Sequence, residues 1–180
     1  MKLFAFFVMF FLYLNCFAIS QTLIRDSCKK GAESSDLPNF YDFCVQSLEN
    51  DPQCKNATNL DELAIAATKI AASVNTNVKG IVEKIRTDKN ASHGIDLLLR
   101  DCIDYYDANS DNLDDAVTDF KSHAYHDARV MLSGALSLTE QCEEGFKDSQ
   151  KKSPVTKENN DLYQKMYILL QFGTMLDKKL

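Results

Sequence analysis

Glycine and proline are scarce, six and three in 180 residues, and no long stretch alternates apolar with polar residues. Those shortages argue against strands and tight hairpins and leave an all-α chain. Catalytic signatures are missing as well. There is no Gly-x-Ser-x-Gly elbow, no His-Glu-x-x-His and no glycine-rich phosphate loop. No nucleophile–base pair has a recognisable spacing, so neither an enzyme nor a cofactor is expected. Basic residues are outnumbered, with a formal net charge of −6, which speaks against nucleic acid or an anionic membrane as partner.

Long apolar runs are nearly absent too. Leu3 to Phe17 is the exception, behind a basic Met1-Lys2 and ahead of the small residues Ala18-Ile19-Ser20. It falls short of the ~20 apolar residues a membrane span needs. Residues 1–20 therefore read as a secretory leader, cleaved after Ala18 or Ser20. The remaining 21–180 is one domain's worth of chain, and losing Lys2 makes its charge −7.

Six cysteines are present, and Cys16 leaves with the leader. Export makes disulfides the default for the other five. Apolar positions recur at helical spacing from Ile95 through Leu98, Cys102, Tyr105, Leu113 and Ala116 to Phe120. They do so again through Ala128, Met131, Ala135, Leu138, Cys142 and Phe146. Residue 122 is the midpoint of Cys102 and Cys142 and also the point where the two runs meet. Antiparallel helices reversing there bring both cysteines to one height, so a bond is expected. The same symmetry about residue 36, inside a turn-rich loop, pairs Cys28 with Cys44 in a smaller hairpin. Cys54 is left over in the 51–54 linker, as a reduced thiol or one bonded to another molecule.

Helices are expected over 22–30, 40–48, 59–87, 95–121, 125–147 and 155–177. Asn59 and Glu62 resemble a capping box. The first long helix carries the seam Leu60, Leu63, Ala67, Ile70, Val74, Val78, Ile81, Ile85. The last carries Leu162, Met166, Leu169, Phe172, Leu176. Residues 108–112 are weak helix formers and a candidate bend. The architecture is an antiparallel up-down four-helix bundle over 59–180, with a helical hairpin over 21–50.

Candidate sites are few. Asp107 to Asp111 matches the opening of a calcium loop, but Asn112 and Thr118 stand where Gly and Glu belong. His123, His126 and Asp127 offer too few imidazoles for a closed metal site and read as a polar tip. Asp101, Asp104, Asp107, Asp111 and Asp115 step along one side of a helix, a solvated face or one that steers a basic partner. Asn56-Ala57-Thr58 and Asn90-Ala91-Ser92 are glycosylation sequons.

Several landmarks together resemble the plant invertase and pectin methylesterase inhibitor family. They are Cys28-Lys29-Lys30, Tyr41-Asp42-Phe43-Cys44-Val45-Gln46-Ser47-Leu48, and Cys102 followed by Asp104-Tyr105-Tyr106. Further on come Ala135-Leu136, Cys142-Glu143-Glu144-Gly145-Phe146 and Ser153-Pro154-Val155-Thr156-Lys157-Glu158-Asn159. The resemblance implies a secreted four-helix bundle with an N-terminal hairpin and the same two disulfides. It implies a protein inhibitor of the cell wall or vacuole, binding one target enzyme in a 1:1 complex. Acid invertase is the first expectation and pectin methylesterase the alternative. A secreted storage or ligand-carrying bundle is a further class.

In the invertase-directed type, a Pro-Lys-Phe motif at the tip between the second and third long helices enters the active site. This chain reads Lys121-Ser122-His123-Ala124-Tyr125 there and keeps only the aromatic, at Tyr125. The expected target-binding set is therefore Lys121, His123 and Tyr125 at the tip, or Asp101, Asp104 and Asp107 on the side. With His123 and His126 at the tip, binding is expected to be strongest near apoplastic acidity.

Overall fold

The computed structural model describes residues 21–178, and the expected leader over 1–20 lies outside them. Helix α1 occupies 21–32 among the described residues. It is followed by α2 (Phe40–Leu48), α3 (Pro52–Lys55), α4 (Leu60–Thr87), α5 (Asp96–Lys121), α6 (Tyr125–Asp148) and α7 (Thr156–Asp177). Among these residues there is no strand, and no helix is long and apolar enough to cross a membrane. Helices α4 to α7 form the bundle: α5 packs beside α4 and α6, and α7 closes the ring against α6 and α4.

Local signals account for the helix ends. Asp51 accepts from the backbone N–H of Gln53 (2.8 Å) and Cys54 (3.0 Å), and Pro52 occupies the first turn of α3, where a missing N–H does no harm. At α4, Asn59 accepts from the Glu62 N–H at 2.9 Å. Glu62 reaches one residue further back than a capping box requires. It accepts from the Thr58 N–H and hydroxyl at 2.8 and 2.9 Å. Those two bonds hold its carboxyl below the usual range. Residues 108–112, the weak helix formers, are helical and lie inside α5 without a break. The calcium-loop pattern is thus helix.

α5 and α6 both end in left-handed C-caps that use no glycine. Residue 123 has φ 60° and residue 150 has φ 54°. The Ala124 N–H donates to the Asp119 carbonyl at 2.9 Å, and the Lys151 N–H to that of Phe146 at 2.8 Å. This six-to-one bond satisfies carbonyls the helix end would otherwise orphan.

Cys28 and Cys44 are bonded (Cα–Cα 5.7 Å), as are Cys102 and Cys142 (4.8 Å). On the chain-entropy account the loops they close are worth about 3 and 4 kcal/mol. The hairpin α1–α2 lies on α7. Ser34 donates to Gln171 at 2.9 Å, and Phe40 meets Tyr167 edge-on at 6.0 Å. A Cβ on Gly31 would stand 2.9 Å from the Phe40 ring, so glycine permits this close approach.

The seam inside the bundle matches the expected one in part. Leu60, Leu63, Ala67, Val78, Cys102, Leu113, Ala116, Phe120, Ala128, Ala135, Cys142 and Phe146 are buried as expected, and the other expected positions of α4 to α6 lie one row off. Fully buried positions step by four and three along α4 as Ala64, Thr68, Ala71, Asn75, Val78, Val82. On α5 they are Leu99, Cys102, Tyr106, Asn109, Leu113, Ala116, Phe120. α6 contributes Ala128, Leu132, Ala135, Thr139, Cys142, Phe146, and α7 contributes Asn159, Leu162, Met166, Leu169. Ile70, Val74, Ile81, Ile85, Ile95, Leu98, Tyr105, Met131 and Leu138 sit half-buried on the flanks. Following only apolar residues skips Thr68, Asn75, Asn109, Thr139 and Asn159, and the traced stripe then slides to the neighbouring row. In α7, where the skipped Asn159 lies ahead of the traced positions, all five expected residues are buried.

Cys54 is also corrected. It lies in α3, not in an open linker, with 0 % of its surface exposed. Burial first, then Asp51, pushes the thiol up to about 12. A buried thiol of that basicity is poorly placed to bond another molecule.

Candidate functional site

Two surfaces carry the residues singled out from the sequence, and a buried polar layer holds both in place. In that layer the Asn75 amide donates to the Tyr106 carbonyl (2.8 Å) and to the Ser110 hydroxyl (3.0 Å), joining α4 to α5. Asn109 donates to the Thr139 hydroxyl at 3.0 Å, joining α5 to α6. Asn159 on α7 donates to the Thr139 carbonyl at 2.9 Å and accepts from the Tyr106 hydroxyl at 2.7 Å. Tyr106 is fully buried, and its hydroxyl also lies 3.4 Å from Cys142 Sγ. Burial, with Glu143 and Glu158 beyond, raises its pKa and keeps it a neutral donor. A one-turn slip of any helix breaks these bonds and leaves amides buried without partners, so the layer fixes register.

The first surface is the tip, residues 122–124. Tyr125 opens α6 but does not project: it is 9 % exposed. Its hydroxyl donates to Asp61 in the first turn of α4 at 2.5 Å and lies 2.7 Å from His123 Nδ1. The bond to Asp61, more than burial, raises the phenol to about 12. Asp61 also lies 3.3 Å from His123 Nδ1. On the opposite side Arg129 pairs with Asp177 at the end of α7, with His126 4.0 Å from the same carboxylate. The tip is thus tied down from both neighbours, and Lys121 and His123 remain exposed on it. Neither Asp61 nor Asp177 was among the residues expected there. Each meets the tip 48 or more positions away in sequence, and no local pattern signals such contacts. Among the described residues no group of three or more His, Cys, Asp or Glu converges as a metal site.

The second surface is the outer face of α5. Asp104, Asp107, Asp111 and Asp115 are exposed along it and Asp101 is half-buried. Their charges are not equivalent. Asp107 is held by Lys79 of α4 at 2.5 Å, and Asp101 lies 3.4 Å from Arg100. Asp104, Asp111 and Asp115 make no ion pair among the described residues. Near the helix end, burial and then Asp127 and Asp115 raise the pKa of Asp119, a mark of like charges crowded together. Cys102, which anchors α5 to α6, lies within this stretch of helix. Two clefts flank α6 and α7, about 430 Å³ beside His126, Arg129 and Gln171 and about 290 Å³ beside Glu140, Glu144 and Tyr163. Neither contains a residue from the expected tip or side set.

A helical hairpin and a four-helix bundle, each with its own disulfide, define a crosslinked all-α scaffold that presents surfaces. The family model described as "Plant invertase/pectin methylesterase inhibitor" matches residues 22–171. An Arabidopsis thaliana protein named "Pectinesterase inhibitor 12" is 44 % identical over 177 residues, 98 % of this chain and 100 % of its own. A Platanus orientalis protein named "Putative invertase inhibitor" is 35 % identical over 161 residues, 89 % of this chain and 93 % of its own. A crystal structure of a mutant form of a pectin methylesterase inhibitor from Arabidopsis shares the fold. Its TM-score is 0.65 at 19 % identity, over 81 % of this chain and 96 % of that one. The chain belongs to the plant invertase/pectin methylesterase inhibitor family.

Proposed function

We propose that this chain is a secreted, non-catalytic inhibitor of pectin methylesterase in the cell wall, binding the enzyme 1:1 through the side of α5. One observation carries the reading. Unpaired carboxylates at Asp104, Asp111 and Asp115 line a helix bolted to its neighbour, while the tip's aromatic, Tyr125, is folded inward. Tip insertion of the invertase-directed kind calls for a projecting side chain. Tyr125 would have to leave Asp61 and open the α4–α6 contact to provide one. A row of negative charge steers a basic partner and speeds encounter without any such rearrangement. The two crosslinks and the polar layer mean that little chain entropy remains to be lost on docking. Full-length similarity to a protein named as a pectinesterase inhibitor supports this ordering over acid invertase, which the sequence alone put first.

The test is residual activity of purified pectin methylesterase and of acid invertase, each titrated with the mature chain between pH 4 and 7. Inhibition of the esterase at stoichiometric concentrations is expected. Asp104→Lys should slow association about fivefold, with a weaker dependence on salt. Inhibition of invertase alone, abolished by Lys121→Ala or His123→Ala, would move the site to the tip.

A further inference from the structure

The two sequons lie at opposite ends of the bundle. Asn56 caps the C-terminal end of α3, four residues before α4 begins. Asp61, five residues on, is the anchor of the α5–α6 tip, so at most about 18 Å of chain separates Asn56 from that anchor. Asn90 lies in the turn between α4 and α5, beyond the far end of α4. That helix has 28 residues, so the two ends are roughly 40 Å apart.

Both asparagines are exposed, and neither side-chain amide makes a hydrogen bond among the described residues. Asn59 caps α4, and Asn75, Asn109 and Asn159 are buried in the polar layer. Asn39, Asn50, Asn77 and Asn160 are exposed as well, so it is the Asn-x-Ser/Thr sequence together with exposure that singles out Asn56 and Asn90. What fixes the two sequon loops leaves Nδ2 untouched. Asp88 accepts from the backbone N–H of Asn90 (2.9 Å) and Ala91 (3.3 Å). Thr58 is held by Glu62 (2.8 and 2.9 Å) and Ala57 is buried beneath its loop. A substituent on either Nδ2 enters solvent and displaces no contact of the fold.

We infer that Asn56 and Asn90 both carry N-linked glycans in the exported protein, capping the bundle at its two ends. In the modification, Asn Nδ2 attacks the anomeric carbon of a lipid-pyrophosphate-linked oligosaccharide. The N–C1 bond forms, the C1–O bond to phosphate breaks, Nδ2 gives up one proton and the lipid pyrophosphate departs. The lipid-linked donor belongs to the export pathway. Each glycan is a bulky, hydrated obstacle. The one on Asn56 stands beside the tip and the one on Asn90 blocks the other end. The middle of α5 stays clear: Asp104 lies eight residues, about 12 Å, from the start of that helix, and Asp115 lies about 9 Å from its end. A target enzyme is thereby confined to the side of the bundle, a consequence that rests on the proposed function.

The full chain with its own leader should be expressed through the secretory route of leaf cells and recovered from the extracellular wash. Peptide N-glycosidase in heavy-oxygen water then turns each glycosylated asparagine into a labelled aspartate for peptide mass mapping. Label at both positions in most molecules is expected, with Asn56→Gln and Asn90→Gln each removing one glycan's mass. An unlabelled residue at either position overturns the inference, whatever the chain inhibits. Esterase inhibition by glycosylated and deglycosylated chain should agree within twofold. A tenfold gain on deglycosylation would show that an end takes part in docking. If neither form inhibits the esterase, the proposed function fails and the mass map still decides the glycans.

Discussion

Removing one oxygen from the centre of the bundle should be felt as strongly as deleting a methyl-rich core side chain. Tyr106→Phe takes away the hydroxyl that donates to Asn159 at 2.7 Å inside a fully buried site. A net hydrogen bond is worth about 1 kcal/mol, and an acceptor left buried without a partner adds about 1–3 kcal/mol, so a loss of about 2 kcal/mol follows. Asn159→Leu, close in volume, strands the phenol and also gives up the 2.9 Å bond to the Thr139 carbonyl, so it should lose about 3 kcal/mol. The double variant removes both halves of the pair, leaves neither orphaned, and should be less damaged than the sum of the two by at least ~1 kcal/mol. Urea unfolding followed by circular dichroism measures all four corners. With a slope of about 2 kcal/mol per molar, Tyr106→Phe moves the midpoint by about 1 M. Additivity of the two substitutions within ~0.3 kcal/mol, at unchanged slope, would refute the reading of this layer as a coupled network.

The remaining predictions are local. Tyr125, with its folded pKa raised from 10 to about 12 by Asp61, contributes stability that is fully present below pH 10 and is lost as pH rises toward 12. Alkaline titration of phenol absorbance should therefore show one fewer late-ionising tyrosine in Tyr125→Phe, with Tyr106 still titrating late, and one returned toward normal in Asp61→Asn. Gln150 sits in the left-handed cap of α6 with φ 54° and an exposed side chain. Gln150→Gly should raise stability by about 1 kcal/mol in thermal unfolding, and a loss instead would mean the side chain holds the cap in some other way.

The backbone plan was legible because its signals are local. Asn59 marks a helix start, and the cysteine midpoints at residues 36 and 122 are where the chain reverses. The short helix α3 was not legible, because Asp51-Pro52, which caps and opens it, reads equally as a linker. The seam was legible only where it is apolar. Tyr106, Asn109, Thr139 and Asn159 each look like surface residues in a hydropathy trace. They become core because each makes a hydrogen bond to a partner on another helix, a fact about several helices at once. What anchors the tip was illegible for a related reason. Tyr125 stands at a loop edge in the sequence, and its partner Asp61 is 64 positions away. The acidic stripe on α5 was visible in full, but not that Lys79 holds Asp107 and leaves Asp104 open. Had the seam been traced as a strict four-three alternation irrespective of polarity, the buried asparagines would have been found.

A titration of pectin methylesterase with the mature chain, run beside the Asp104→Lys variant at two salt concentrations, bears most directly on the claim that a rigid acidic flank recognises the target. The account predicts stoichiometric inhibition by the parent, slower association for the variant, and a gap between them that narrows in high salt. Equal inhibition by both proteins at both salt concentrations, or none by either, would contradict it.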